Sequence, residues 1–182
     1  MSSLVNTIIL ITLLTCSPCA AASPVLIEGR QSCGEGVQKI CYGAPSGTAQ
    51  NIDPADVEFL AANIRYEARR DPSNLAFFNM PPSANFQCEE WTIASEGTVV
   101  VLAKHTSARL NTTVLAEDIA NTLDGGENST AEQVRNSILG CGENGGQVGL
   151  IYDKDNKAYN SETYKGWKAT PSGLVIKVVH AA

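Results

Sequence analysis

The chain has 182 residues, 43% of them hydrophobic and 18% charged, with 19 acidic against 13 basic side chains and a net charge of −6. That length suits one domain with a true buried core. The acidic balance, with no basic run longer than Arg69-Arg70, argues against nucleic-acid phosphate or anionic lipid as a general partner.

Residues 1–22 carry no charged side chain and read as an export leader. Leu4 to Leu14 form an apolar run and Ala20-Ala21-Ala22 supply the small residues a signal peptidase needs, which predicts cleavage between Ala22 and Ser23. Thr15, Ser17 and Pro18 break the run short of the roughly twenty residues a membrane helix requires. A secreted mature chain without a membrane anchor is expected. Of the six cysteines, Cys16 and Cys19 leave with the leader, so Cys33, Cys41, Cys88 and Cys141 remain. In an oxidising compartment these form two disulfides with three possible connectivities. The short spacing of Cys33 and Cys41 favours a local loop, which leaves Cys88 with Cys141. No C-x-x-C survives in the mature chain and the only histidines are His105 and His180, so no metal and no other cofactor is expected.

Residues 23–51 hold scattered glycines without helical period and read as a disulfide-tied N-terminal segment. The rest, 52–182, reads as one sandwich domain. Asp53 caps a helix with Pro54 at its first position, and Val57, Leu60, Ala61, Ile64 and Ala68 share a face. Arg69 and Arg70 suit the C-terminal end and Pro72 stops it. The dibasic pair also fits a processing site, although a helix end explains it without one. Leu75, Phe77 and Phe78 suggest a short strand before Pro81-Pro82. Phe86, Cys88, Trp91 and Ile93 suggest another, with a bulge at Glu89-Glu90 and a turn at Ser95-Glu96-Gly97. The β-branched run 98–103 predicts a central strand buried on both faces. A second helix is predicted over 114–123, ended by Gly125-Gly126. A third has Ser129 and Glu132 at capping-box spacing, Val134 and Ile138 on one face, and Gly140 closing it. Strands over 147–152 and 174–179 flank a polar segment, 153–172. This order predicts an α+β fold, a mostly antiparallel sheet with helices packed on one face and two disulfides.

Few residues offer chemistry. The chain has no G-x-S-x-G, and its mature cysteines are needed for disulfides. His105 follows the central strand, and Lys104, Arg109, Glu89 and Glu90 are candidates to lie near it, as in a guanyl-type ribonuclease. The plainer reading is a polar residue where a strand leaves the sheet. Paired glycosidase carboxylates could be drawn from Glu89, Glu90, Glu117 and Asp118, but adjacent residues on a strand, such as Glu89 and Glu90, point to opposite faces, and solvated charge is the plainer reading. Asp153, Asp155 and Asn156 begin like a calcium loop, but Lys157 and the absence of a later glutamate break the pattern. The glycines of 142–149 follow a helix and precede a strand, the reverse of a phosphate-cradling loop. Trp91, beside Cys88, reads as core. Trp167, in a polar loop, is the better candidate for a partner-binding surface. Asn111 and Asn128 head N-glycosylation sequons.

Cys88-Glu89-Glu90-Trp91-Thr92-Ile93, Lys104-His105, Glu117-Asp118-Ile119-Ala120 with Asp124-Gly125-Gly126, Gly140-Cys141-Gly142 and Gly145-Gly146-Gln147 carry a resemblance. Over about 88–179 the chain resembles small cysteine-containing secreted proteins of filamentous fungi. Its layout is similar to killer-toxin-like proteins and to fungal effectors with an α+β sandwich. The resemblance implies an extracellular virulence role toward another organism. The preferred reading is a non-enzymatic effector or elicitor, a monomer, acting by surface contact on a protein of a plant host, in the apoplast or inside the host cell. The alternatives are a killer-toxin-like antimicrobial protein acting on a competing microbe, and a small ribonuclease-like hydrolase using His105. The resemblance carries over no catalytic residue.

Overall fold

The computed structural model describes residues 32–70, 77–82 and 87–182. The expected leader and its cleavage point, the start of the N-terminal segment, Pro72, Leu75 and Phe86 lie outside the described residues. The elements in chain order are β1 (Ile40–Cys41), α1 (Pro54–Arg70), β2 (Phe77–Met80), β3 (Glu90–Glu96), β4 (Val99–His105), β5 (Thr112–Leu115), α2 (Ala116–Asp124), α3 (Ala131–Asn136), a 3-10 turn (Leu139–Asn144), β6 (Gly146–Gly149), α4 (Glu162–Gly166) and β7 (Leu174–His180).

Helix α1 starts as its sequence demands. The Asp53 carboxylate accepts the Ala55 N–H at 2.9 Å, which satisfies a donor the first turn leaves open. Asp56 in that turn accepts the N–H and the hydroxyl of Thr98, at 2.7 and 2.8 Å, and so ties the helix to the β3–β4 turn. Gly97 makes this possible: a Cβ there would sit 2.3 Å from the Asp56 carboxylate. Val57, Leu60 and Ala61 of α1 and Ile119, Ala120 and Leu123 of α2 are buried in one cluster with the inward residues Val99, Val101 and Ala103 of β4, Ile176 and Val178 of β7, and Val148 of β6.

The expected α+β architecture is present. Five strands in the order β1-β6-β7-β4-β3 pair antiparallel throughout, and β2 and β5 form a separate two-stranded sheet. Residues 32–41 run across the face of the large sheet away from the helices. Ser32 bridges Ser107, the Cys33 N–H donates to the Thr106 carbonyl, the Gly149 N–H donates to the Val37 carbonyl, and β1 then pairs with β6.

That path corrects the expected disulfide pairing. Cys33 bonds Cys88 and Cys41 bonds Cys141. Cys33 sits where β4 ends and β3 begins, whereas Cys41 sits at the far edge of the sheet, opposite Gly146. Near in sequence, the two are kept apart by an extended crossing of the sheet, so each meets a cysteine delivered by another element.

Other elements differ locally. The β3 bulge lies between Thr92 and Ala94, not at Glu89-Glu90, and the turn is Gly97-Thr98, with Ser95 and Glu96 still in the strand. β4 alternates fully buried and half-buried residues, because its outer side is only partly covered by the N-terminal crossing. Thr112 to Leu115, half expected as helix, is a strand paired with β2, and α2 begins only at Ala116. The capping box of α3 is Thr130 with Gln133, one residue later than expected. Gly140 lies inside the 3-10 turn instead of closing α3, and β6 ends at Gly149.

Candidate functional site

An acidic cleft of about 530 Å³ opens where the face of α2 that carries Glu117, Asp118 and Asn121, the loop 125–129 and α3 meet the chain leaving β6; Glu127, Tyr152 and Asp153 are among its other lining residues. Its floor depends on how α2 begins. At the junction of β5 and α2 the Leu115 N–H donates at 2.8 Å to the Tyr159 hydroxyl. That hydroxyl in turn donates a short hydrogen bond to Asp118, which is only 5% exposed. Burial pushes the Asp118 carboxyl up to about 6; the nearby Asp153 and Glu117 carboxylates push the same way, and hydrogen bonds from Tyr159 and the Asp153 backbone oppose them. Burial, and then the bond to Asp118, push the Tyr159 phenol well above its ordinary range.

Tyr159 belongs to an aromatic cluster that the polar composition of 153–172 conceals. Phe77, Tyr152, Tyr159, Tyr164 and Trp167 pack mostly edge to face, with centroids 5.1 to 6.1 Å apart. The Tyr164 hydroxyl donates to the Thr113 carbonyl at 2.7 Å, and burial pushes its phenol up to about 12. Asp153, Asp155 and Asn156 shape turns: the Asp153 carboxylate accepts the Asp155 N–H and the Asn156 side chain accepts the Ala158 N–H.

Behind the cleft, Arg65 of α1 reaches into the α1–α2 interface. Its guanidinium donates to both Asp124 oxygens, at 2.7 and 2.6 Å, and to Asn121 at 2.8 Å, with the side chain 4% exposed. Asp124 also accepts the Gly126 N–H. This clamp fixes the end of α2 and thereby one wall of the cleft. At the rim, exposed Arg69 pairs with Glu127 and Glu117, which gives one member of the dibasic pair a structural partner.

On the opposite side of the large sheet, Lys104 of β4 and Lys177 of β7 stand between two carboxylates. Glu35, from the crossing segment, lies 2.9 Å from Lys104 and 3.2 Å from Lys177; Glu90 of β3 lies 2.5 Å from Lys177. Burial would raise the Glu35 carboxyl, but hydrogen bonds from the two lysines outweigh it and hold Glu35 below its ordinary range. The cluster acts as a fastening for the crossing segment.

His105 does not join that cluster. Strand alternation sends it to the helix side, 3% exposed, with Nε2 3.1 Å from the Met80 carbonyl oxygen, while Glu90 and Lys104 lie on the other face. Burial lowers its pKa, against a smaller opposing effect of the bond to Met80, and so favours the neutral ring. Trp91, expected in the core, is 38% exposed because its strand is the sheet's edge. Trp167 is 44% exposed and packs edge to face with Phe77 and Tyr164. Asn128 is exposed at the cleft, whereas the Asn111 amide donates to the Trp167 carbonyl. Among the described residues no cluster of three or more His, Cys, Asp or Glu is arranged to hold a metal ion, and no helix is long and apolar enough to cross a membrane.

Arg65, Glu35 and the Asp118–Tyr159 pair escaped the sequence reading. Only Arg65 left a clear signal, an arginine four residues after Ala61 on the apolar stripe of α1. No protein-family model, curated protein or solved structure matches the chain.

Proposed function

We propose that the protein works outside its cell of origin as a non-enzymatic, effector-like interaction protein that contacts a protein of a plant host. The observation that carries this reading is the display of large side chains on a stapled frame. Phe59 and Tyr66, two turns apart on the solvent side of α1, are 56% and 60% exposed, and Trp91 and Trp167 add two further exposed aromatic rings. Rings of this kind supply interface energy when a partner desolvates them. The burial of His105 supports the same reading, since an imidazole 3% exposed and held against a backbone carbonyl is poorly placed to move a proton for a substrate.

The test is infiltration of the oxidised mature protein into leaf tissue beside a His105→Asn variant and a reduced, alkylated sample. The reading expects cell death or altered defence signalling from both folded proteins and none from the reduced one. A response that requires His105 in a folded variant would instead establish an enzyme. Inhibition of microbial growth without any leaf response would transfer the role to an antimicrobial protein.

A further inference from the structure

We propose that the free edge of the large sheet, strand β3, receives an extended basic segment of the partner as an added antiparallel or parallel strand. This deepens the interaction reading above and rests on it. Among the described residues β3 pairs with β4 alone, and none hydrogen-bonds to its other side. The opposite edge, β1, has only two residues, so β3, with seven, is the long open edge. Five of those seven residues are exposed. An exposed edge strand presents unpaired N–H and C=O groups that a further strand can satisfy.

Charge selects the occupant. No lysine or arginine occurs between Arg70 and Lys104, while Glu89, Glu90 and Glu96 lie on β3 or beside it. Glu90 is committed to Lys177, but Glu89 and Glu96 have no ion-pair or hydrogen-bond partner among the described residues. A second copy is a poor occupant, because antiparallel pairing of β3 with itself about its centre sets Glu90 opposite Glu96 at both ends. A segment bearing lysine or arginine reverses that penalty. Trp91 stands on the helix side of the edge, where a cationic side chain of the incoming strand can lie over the indole. The bulge between Thr92 and Ala94 breaks the edge into two short runs, which disfavours indefinite strand addition while leaving room for one short segment.

The experiment titrates the oxidised, isotope-labelled mature protein with three synthetic peptides of roughly nine residues. One alternates lysine and valine, one alternates glutamate and valine, and one is basic with proline at every second position. Amide shifts and hydrogen-exchange protection locate binding. The proposal expects the lysine–valine peptide to bind with changes confined to Glu90–Glu96 and its flanks. The other two peptides, and a Glu89→Lys/Glu96→Lys variant, should bind about tenfold or more weakly. Equal binding of the proline peptide, or changes centred on the acidic cleft, would overturn it. The charge-reversed variant also enters the leaf assay. Full activity there would place the contact elsewhere and leave the interaction reading standing. An inactive wild-type protein would instead sink the host reading, while the titration still decides the edge.

Discussion

Asp118 is the residue whose chemistry departs furthest from its sequence appearance. Burial pushes its carboxyl up from an ordinary 3.8 to about 6, so the folded state holds this proton more tightly than the unfolded chain does. Asp118 therefore favours folding below its unfolded pKa, and that contribution is lost as pH rises from about 3.8 through about 6. The effect is on the order of a few kcal/mol at most. Asp118→Asn should flatten the dependence in urea titrations between those pH values and raise stability at neutral pH. Glu35, held low by two lysines, acts the opposite way, losing its contribution only as pH falls below the ordinary carboxylate range. Arg65 gives a second prediction at this scale. Arg65→Ala strands the largely buried Asp124 carboxylate and should cost about 3–5 kcal/mol in denaturant unfolding, whereas an exposed pair such as Lys165–Glu162 should cost under about 1. An arginine on an apolar helix face was visible in the sequence. Its partner, 59 residues away, was not, because sequence spacing says nothing about which helices pack together.

The elements read best where short-range chemistry decides them. α1, with its Asp-Pro start and apolar stripe, and the β3–β4 hairpin stand where the pattern placed them, apart from small shifts at turn and bulge. The second half of β5, Val114 and Leu115, was hidden in a predicted helix because these residues become a strand only by pairing with β2, a tertiary effect that overrides local preference. α2 shows the same dependence at its start, where the Tyr159 hydroxyl, 44 residues away, accepts the Leu115 N–H. Tyr159→Phe should keep the ring in its cluster, leave the Leu115 N–H and the Asp118 carboxyl without their hydroxyl, and cost about 1–3 kcal/mol. Faster hydrogen exchange in the first turn of α2 and in 153–172, with α1 unchanged, is the expected signature.

The whole molecule is a helix-covered sheet whose other face is crossed and fastened by its own N-terminal segment. Each disulfide closes a long loop, of 55 and 100 residues by sequence separation, and by chain entropy each contributes about 4–5 kcal/mol. The paired removal Cys41→Ala/Cys141→Ala should free β1 and lower stability by about 2–5 kcal/mol. The fold class was legible because helix and strand periods follow their order along the chain. The cysteine pairing was not, because it depends on which strands are neighbours. The most direct measurement is mass spectrometry of the non-reduced protein recovered from culture medium. The account predicts a chain beginning at Ser23 with Cys33 joined to Cys88 and Cys41 joined to Cys141; a retained leader, free thiols or a Cys33–Cys41 bond would contradict an exported scaffold stapled across its sheet.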